Sequence, residues 1–494
     1  MRIRRAWSSS TRHSQPVAGV LLGLLALTLL AGCDRDEPGA PAPPDPAHEA
    51  QPTDAADTPA LSPGTIPFWR ADPNPARPKQ HVPGRFRKVP AAASAQAELN
   101  DEQKAMIEQL ESIGYATGSR EAPLERGITI HDRERAQPGL NLYTSGHAPE
   151  AVLMDMDGRV VHRWQYAFHD AFPTQTASHR NARFWRRAAV LPNGDLIALH
   201  ASLGILKLDR DSKLLWAHPH PVHHDLEVSP EGEIVVLTRK AHMVPRVSAD
   251  IPILEDFVAI LDSDGRIKQQ VSLLEAFENA NDEHSWIEAS RRFWEREKQR
   301  RRASARFGTS FDVFHTNSVQ LLDETTARDS GAFKPGSLLI SACHLDTIAV
   351  VDLDAEKVTW SLGDRFQLQH DPRALPDGNV MVFDNQWMPE GSRVAIFDPI
   401  TEALVWEYVG TPDRPFYSRT CGTSRRLANG NILITESDGG RAFEVTADKQ
   451  IVWEFYNPNR AGDDDEYIAT LFELVRLPPE FGSDWLAGAP PDTP

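Results

Sequence analysis

Two histidines in this chain head the same ten-residue pattern, and both are candidates for chemistry. His224 opens HDLEVSPEGE and His370 opens HDPRALPDGN, each with an apolar-alternating strand that runs into a Pro-x-Gly turn. A degenerate copy, HTNSVQLLDE, begins at His315. Because repeated units place equivalent residues at equivalent positions, we expect the three imidazoles to converge. Such a group could ligate a metal as a three-histidine set, or attack and protonate an anionic substrate.

Other polar residues accompany these histidines. In further repeats the matching position is held by Arg186 or Arg187 and by the stretch Cys421-Gly422-Thr423. Asp225 and Asp371 follow two of the histidines, but adjacent side chains on a strand point to opposite faces, so we expect them to be structural. Three more arginines are candidate contacts for an anion: Arg373, Arg419 and Arg425.

The elements that carry these residues are two kinds of hairpin, which alternate with a period of about 45 residues. One kind ends in tryptophan, at Trp164, Trp216, Trp360, Trp406 and Trp453, and a sixth copy at 259–273 lacks it. The other has a Pro/Ala-Asn/Asp-Gly type of turn, at 191–195, 229–233, 375–379 and 427–431. Four short strands repeated six times predict an all-β fold, a six-bladed β-propeller. A stacked pair of β-sandwiches is the alternative.

The propeller is predicted to span residues 136–480. Its first tryptophan hairpin lacks a preceding partner, and YIATLFELVRLP at 467–478 fits the missing inner strand, so the N- and C-terminal strands would close one blade. A helical lead-in at 96–135, with a short helix at 100–113, would precede the ring. An arginine-rich helical insertion at 274–306 would interrupt the third repeat, and 481–494 would be a flexible tail.

The N-terminus predicts export and anchoring. Residues 1–33 combine a basic start, an apolar run too short for a comfortable span, and Leu30-Ala31-Gly32-Cys33, which resembles a bacterial lipobox with Cys33 as the lipidated residue. Residues 34–95 are rich in Pro and Ala, which predicts a disordered tether. We therefore expect a bacterial cell-envelope protein held to a membrane by its lipid, folded in the periplasm. Asp34 slightly favours the inner membrane.

Composition excludes one large class of partner. The formal net charge is −18, which argues against nucleic-acid binding, because phosphate recognition needs a basic footprint. Cys343 and Cys421 are the two cysteines beyond Cys33, and we expect buried thiols. The sequence does not fix the oligomeric state.

Several segments together resemble the arylsulfotransferase family over roughly residues 125–478. The matching segments, in order, are GLNLYTSGHAPEAVLMDMDGRVVHRW at 139, HTNSVQ at 315, LLISACHLDTIAVVDL at 338, QHDPRALPDGNVMVFDN at 369 and GNILITESDGGRAFEVT at 430. The resemblance implies a six-bladed propeller in the bacterial envelope. It also implies transfer of a sulfuryl group from a phenolic sulfate ester to a phenol through a sulfohistidine, without a nucleotide donor.

The resemblance also implies roles for individual residues. His370 matches the nucleophile, and His224 and His315 match two supporting histidines, while Asn317 and Thr423 are implied substrate contacts. The family carries a Ser-x-Arg pattern where this chain has Ser341-Ala342-Cys343-His344, so the arginine is absent. A protonated His344 could supply charge there, without the planar fork of a guanidinium.

Two other functions stay open at this stage. The missing arginine favours a catalytically lapsed propeller that serves as a tethered binding module. Three converging histidines would also suit a His-ligated metalloenzyme. For the transferase we expect no cofactor and no transition metal, and the sequence leaves calcium in the channel open.

Overall fold

The computed structural model describes residues 122–175, 180–249, 252–280, 286, 311–326, 333–388, 391–461, 465 and 467–486. The chain divides into two units, Met1–Arg77 and Pro78–Pro494, and every described residue belongs to the second. The predictions for residues 1–33 and 34–95, for the helix at 100–113 and for most of the insertion at 274–306 lie outside the described residues.

Six antiparallel sheets form the fold, as in a six-bladed propeller, and the predicted fold class is confirmed. Blade 1 contains β2 (Leu140–Ser145), β3 (Glu150–Met154), β4 (Val160–Gln165) and β28 (Leu471–Leu477). Blade 2 contains β5 (Arg187–Val190), β6 (Leu196–His200), β7 (Gly204–Leu208) and β8 (Leu214–His218). Blade 3 contains β9 (Val222–Val228), β10 (Ile234–His242), β11 (Ile253–Leu261) and β12 (Ile267–Ser272).

The other three blades follow in chain order. Blade 4 contains β14 (Thr316–Leu321), β15 (Leu338–Ala342), β16 (Thr347–Asp352) and β17 (Lys357–Leu362). Blade 5 contains β18 (His370–Ala374), β19 (Val380–Met388), β20 (Gly391–Phe397) and β21 (Leu404–Val409). Blade 6 contains β22 (Thr423–Arg426), β23 (Ile432–Glu436), β24 (Arg441–Val445), β25 (Ile451–Tyr456) and β1 (Gly127–His131).

Short elements complete the description. The helices are α1 (Phe168–Ala171), α2 (Leu273–Glu278) and α3 (Ser483–Leu486), with 3-10 turns at Arg180–Arg183 and Cys343–Leu345. Strand β13 (Phe311–Asp312) pairs with β11, and β26 (Arg460–Ala461) pairs with β27 (Tyr467–Ile468). None of the helices in the described ranges is long and apolar enough to cross a membrane.

The ring is closed at two places. Strand β28 pairs with β2 and becomes the innermost strand of blade 1, as the C-terminal segment predicted. Strand β1 pairs with β25 and adds a fifth, outer strand to blade 6. This second closure falls within the predicted helical lead-in, whose described part is therefore extended rather than helical.

The repeated tryptophans tie neighbouring blades together. Four indole N–H groups on outer strands donate to turn carbonyls of the next blade: Trp164 to Gly194 at 2.9 Å, Trp216 to Ser263 at 3.0 Å, Trp406 to Ala447 at 2.9 Å and Trp453 to Met156 at 3.0 Å. Apolar side chains fill the spaces between blades, as where Leu153 of blade 1 packs with Leu196 and Leu206 of blade 2. The repeat therefore encodes contacts between blades as well as within them.

The described start of the predicted flexible tail is ordered. Of residues 481–494 the structure describes 481–486, where α3 holds Trp485 against blade 1, with ring centroids 5.8 Å from Trp164 and 5.2 Å from His162. The Trp485 indole also donates to the Pro192 carbonyl at 3.2 Å. A large apolar side chain with a matching surface gains enough from burial to order this turn.

Candidate active site

The innermost strands bring the candidate residues to one cavity at the axis. In each of blades 2 to 5 the two innermost strands form a hairpin. Arg186, His224, Asn317 and His370 each lie four residues before the last paired residue of the first strand of that hairpin. The empty volume of the cavity is about 270 Å³ with open solvent counted, so the enclosed part is smaller, and the cavity is lined by these four residues with Arg187, Asp371, Cys421, Gly422, Thr423 and Phe472. The predicted residues His370, His224, Asn317 and Thr423 thus share one wall.

The hairpin register corrects one expected equivalence. Asn317, and not His315, occupies the position of His224 and His370, because blade 4 has a longer inner turn between Leu321 and Leu338. His315 lies two residues earlier, just before β14. Its ring nevertheless contacts that of His224, with centroids 4.8 Å apart at an interplanar angle of 72°. Proximity came from neighbouring strands rather than from a shared repeat position.

Left-handed backbone marks the same region. The φ angles are 58° at His224, 49° at His315, 50° at Asp371 and 58° at Cys421. Non-glycine residues adopt this conformation uncommonly, and such residues cluster at functional sites. In blades 3 and 5 these residues sit in β-bulges of the inner strand, which re-aim side chains.

His370 is held in one tautomer. Asn385 donates its amide N–H groups to the carbonyls of Ser418 at 2.8 Å and Cys421 at 2.6 Å, which fixes its Oδ1 as an acceptor. His370 Nδ1 lies 2.8 Å from that oxygen and 3.1 Å from the Leu368 carbonyl, so Nδ1 carries the proton. The lone pair is then on Nε2, which accepts the Cys421 N–H at 3.2 Å.

His370 is also uncharged at neutral pH. Burial, followed by the charge of Arg186, lowers the pKa of His370 to about 3, although the hydrogen bond to Asn385 acts in the opposite direction. A neutral imidazole with its lone pair on Nε2, in a residue that lines the cavity, can act as a nucleophile.

His224 has a different environment. Its Nδ1 lies 2.7 Å from Nδ1 of His223 and 3.2 Å from a guanidinium nitrogen of Arg239. Burial and then the charge of Arg186 hold the pKa of His224 well below 6.5. Both cavity histidines are therefore neutral in the folded protein.

A carboxylate lies behind the histidine pair. Asp312 forms a short hydrogen-bonded ion pair with Nδ1 of His315, and its carbonyl accepts from Nδ1 of His344 at 2.8 Å. The rings of His315 and His344 are 4.6 Å apart. Burial would raise the pKa of Asp312, but these histidines outweigh it and hold the pKa below its usual range. Asp312, His315 and His344 offer ligand atoms within 4.8 Å of one another and could hold a metal ion.

His344 does not supply the charge that the sequence allowed for. Burial lowers the pKa of His344 to about 4, against the attraction of Asp312, so the ring is neutral at neutral pH. Cys343, which stands where the family arginine was expected, is buried. Cys343 and Cys421 are thiols rather than a disulfide.

Two of the cavity-lining residues, Arg187 and Asp371, also belong to a closed ring of six alternating charges, here called the ion-pair ring. Its members are Arg187, Asp225, Arg373, Asp371, Arg425 and Glu473, and each contacts the next. Arg187 lies 2.9 Å from both Asp225 and Glu473. The ring joins blades 1, 2, 3, 5 and 6, and the Asp225 carboxylate also accepts the Val319 N–H of blade 4 at 3.1 Å.

The ion-pair ring corrects the prediction that Arg373 and Arg425 contact an anionic substrate. Arg373 lies 2.8 Å from Asp371, 3.4 Å from Glu227 and 3.7 Å from Asp225. A guanidinium desolvated among carboxylates is neutralised there. The third candidate, Arg419, is exposed.

Three contributors to the site were missed or left undecided by the sequence. Asn385 closes the segment QHDPRALPDGNVMVFDN, so the family resemblance contained it without indicating its role. Arg239 interrupts the apolar strand β10, and a buried charge in such a strand was the available signal. Arg186 and Arg187 were offered as alternatives, and the structure separates them: Arg186 lines the cavity, and Arg187 also joins the ion-pair ring.

Comparison with known proteins gives one family and several distant structural similarities. No curated protein matches the chain. The structure is similar to a protein of unknown function from Bacteroides caccae (10% identity, 68% of this chain and 98% of that chain, TM-score 0.42). It is also similar to a streptogramin B lyase (14% identity, 72% and 95%, TM-score 0.38). A family model described as arylsulfotransferase (ASST) matches residues 187–458, more than half of the chain, and we conclude that the chain belongs to this family.

Proposed function

We propose that the protein transfers a sulfuryl group from a phenolic sulfate ester to a phenol-type acceptor through a sulfohistidine formed on His370. Family membership supports a transferase. The observation that carries the proposal is the His370 network, in which Asn385 and the Leu368 carbonyl hold Nδ1–H and leave the lone pair on Nε2 of a neutral ring that lines the cavity.

In the first half-reaction Nε2 of His370 attacks the sulfur of the donor. The N–S bond forms as the bond from sulfur to the phenolic oxygen breaks, and no electrons are gained or lost overall. Attack requires the Nε2 lone pair to leave the Cys421 N–H, a bond whose 3.2 Å length is at the long end for N–H donors. A fixed tautomer and position supply the orientation on which such transfers depend.

The supporting histidines manage the protons. The departing phenolate takes a proton from the His224–His315 pair, which begins the cycle with one extra proton that the Asp312 carboxylate stabilises at Nδ1 of His315. In the second half-reaction the acceptor phenol attacks the sulfur, the N–S bond breaks, and the phenol proton returns to the pair. A carboxylate that orients an imidazole and stabilises its charged form is a recurrent catalytic arrangement.

Transfer assays test the proposal. Purified protein is incubated with 4-methylumbelliferyl sulfate, with and without phenol, and release of the fluorophore is followed. His370→Ala should lose at least about 10³-fold in rate, because removal of a covalent nucleophile leaves only binding and charge stabilisation. His169→Ala, an exposed histidine on α1, is the matched control and should retain the wild-type rate.

A trapped intermediate sharpens this test. Wild-type protein mixed with donor alone and quenched in base should carry one sulfuryl group on the peptide that contains His370. Equal transfer by His370→Ala and wild type would overturn the assignment. Absence of transfer across many aryl sulfates would favour the tethered binding module.

A second candidate, a His-ligated metalloenzyme, is favoured by the cluster of Asp312, His315 and His344. Imidazole and carboxylate ligands suit zinc. Elemental analysis of the purified protein distinguishes the two candidates: stoichiometric zinc lost in His344→Ala would support the metalloenzyme, and transfer retained after chelation would support the histidine mechanism.

We also propose that the protein acts from a membrane in the bacterial envelope, held by a lipid on Cys33, on small-molecule phenols. The lipobox-like sequence before Cys33 supports this. Cys33→Ala should move the protein from the membrane fraction to the soluble periplasmic fraction, since lipid chains supply the anchor. An unchanged membrane fraction would contradict it.

A further inference from the structure

We propose that His218 and His220 form a binding site for a divalent transition-metal ion, with Cu²⁺ as the ion bound most tightly. His218 lies on β8, the outermost strand of blade 2, three strand spacings or about 14 Å from the inner strand β5. The residues described as lining the cavity include neither histidine. The inference therefore goes beyond the proposed function and does not depend on it.

The local sequence holds the two side chains on one face of the chain. His218 is the last residue of β8, and the chain continues as Pro219-His220-Pro221. A residue that precedes proline is restricted to extended conformations, and residues two apart on an extended chain point to the same side. The two rings are accordingly stacked, with centroids 5.2 Å apart and planes at 7° to each other. The backbone thus preorganises the pair.

Contacts with a turn of blade 3 fix which nitrogen of each ring can bind an ion. Nε2 of His218 lies 2.8 Å from the Asp264 carbonyl, and Nε2 of His220 lies 3.0 Å from the Gly265 carbonyl. Because a carbonyl oxygen only accepts hydrogen bonds, each Nε2 carries a proton and each Nδ1 carries the lone pair. Histidines that bind metals almost always donate their other ring N–H in this way, which orients the ring.

Both Nδ1 atoms are available for an ion. Among the residues that the structure describes, neither Nδ1 has a hydrogen-bond partner, and neither is a fully buried polar atom. Both histidines are partly exposed. An ion can therefore reach the two lone pairs from solvent without displacing a contact within the protein.

Ligand chemistry gives the class of ion. Imidazole nitrogens suit Cu²⁺, Ni²⁺ and Zn²⁺, whereas Mg²⁺ and Ca²⁺ prefer oxygen ligands, and affinity among these divalent ions is highest for Cu²⁺. Two nitrogens bound to one ion at about 2.0 Å each lie at most about 4 Å apart, so a small tilt of the stacked rings towards each other completes the pair of ligands. Water would occupy the remaining coordination positions.

Copper titration of the purified full-length protein, prepared without a histidine tag, tests the inference. Calorimetry with Cu²⁺ should show a bound ion in wild type, and its electron paramagnetic resonance spectrum should show imidazole nitrogens as ligands. His218→Gln and His220→Gln each keep an N–H that can donate to the turn carbonyl but remove Nδ1. Each should weaken Cu²⁺ binding by at least about 10-fold, because even an outer-shell partner of a metal ligand is worth about 10- to 100-fold in affinity.

Two control variants separate this site from other histidines. His162→Gln changes an imidazole of blade 1 whose Nε2 likewise contacts a turn of the next blade, at 2.8 Å from the Arg210 carbonyl. His344→Ala changes a member of the cluster that also offers ligand atoms to a metal. Both variants should bind this Cu²⁺ ion with the affinity of wild type.

The outcomes are decisive in either direction. Equal Cu²⁺ affinity in wild type, His218→Gln and His220→Gln would overturn the inference, and so would loss of the same ion in His344→Ala, which would assign it to the cluster. Zn²⁺ or Ni²⁺ bound more tightly than Cu²⁺ would overturn the choice of ion. Because the measurement is copper binding, failure of the transferase proposal in the assays of His370→Ala would leave this inference standing.

Discussion

The cavity and the ion-pair ring lie one residue apart on the same inner strands and solve opposite problems. Arg186, His224 and His370 line the cavity outside the ring, Asp225 belongs to the ring, and Arg187 and Asp371 belong to both. In the cavity the imidazoles of His224 and His370 are neutral, whereas in the ion-pair ring six charges are paired. We infer from this difference that the paired charges of the ion-pair ring hold the inner strands in place. The cavity can therefore contain a neutral nucleophile that contributes little to the stability of the fold.

The largest expected effect comes from a substitution that breaks the ion-pair ring. Asp371→Asn removes the carboxylate between Arg373 and Arg425 and leaves two partly buried guanidinium groups without their shared partner. Burial would raise the pKa of Asp371, but the arginines outweigh it, so the lost charge is one that the fold stabilises. We expect the free energy of unfolding to fall by about 3–5 kcal/mol, measured by urea denaturation. A loss comparable to that of His370→Asn, on the same strand, would show that the cavity and the ion-pair ring do not differ.

The next effect should appear in the cavity and concern rate. Asn385→Ala removes the acceptor that fixes Nδ1–H of His370, so Nε2 would no longer be held as the lone-pair atom. We expect kcat for sulfuryl transfer to fall about 10²-fold with a smaller change in KM, as for other groups that orient a catalytic imidazole. Asn385→Asp, which keeps an acceptor at this position, should restore part of the rate. If Asn385→Ala and Asn385→Asp lost the same amount of kcat and the same amount of stability, the role of Asn385 would be structural only.

A smaller effect concerns pH. His370 has a pKa of about 3 and His200, in the core of blade 2, a pKa of about 4, whereas the ordinary value is 6.5. Both rings are neutral when folded and take up a proton on unfolding below about pH 6.5. The free energy of unfolding should therefore rise with pH between about pH 4 and 6.5, by up to about 1.4 kcal/mol per pH unit for each ring.

Variants assign this slope to individual rings. His370→Asn and His200→Asn should each reduce the slope of unfolding free energy against pH by the contribution of one proton. The slope is measured by urea denaturation at several pH values between about 4 and 6.5, and of the two residues only His370 lies at the cavity. A slope unchanged in both variants would refute the buried neutral state of these rings.

The smallest effect lies at the surface. Arg133 donates from one guanidinium nitrogen to both carboxylate oxygens of Asp157, an exposed pair with contacts of 2.8 and 2.9 Å. Solvent screens such pairs, so Arg133→Ala should change the free energy of unfolding by about 0–1 kcal/mol. A loss as large as that of Asp371→Asn would mean that burial does not separate the ring from surface pairs.

The sequence predicted what is local and repeated. Asn-Gly and Asp-Gly turns with alternating apolar residues were enough to predict the hairpins, and the unpartnered first hairpin indicated that β28 closes blade 1. The segment from 127 to 131 was misread, because β1 gains its strand partner only from β25, more than 300 residues later in the chain.

At the site, residue types were predictable and neighbours were not. The repeat indicated His224 and His370, but a longer turn shifted the register so that Asn317 took the place expected for His315. The role of Arg373 could not be foreseen, because its partners Asp225 and Glu227 come from another blade. Contacts among strands of different blades depend on tertiary packing, which no local pattern specifies.

The innermost strand β28 also sets the order of events during synthesis. It gives Phe472 to the cavity and Glu473 to the ring, so neither is complete until residues 471–477 have been made. Until then blade 1 has an open sheet edge at β2, and Arg187 lacks the carboxylate of Glu473. Contacts between such distant residues slow folding. Nascent chains that end before β28 should be inactive and sensitive to proteases, so that only a propeller closed by β28 is active.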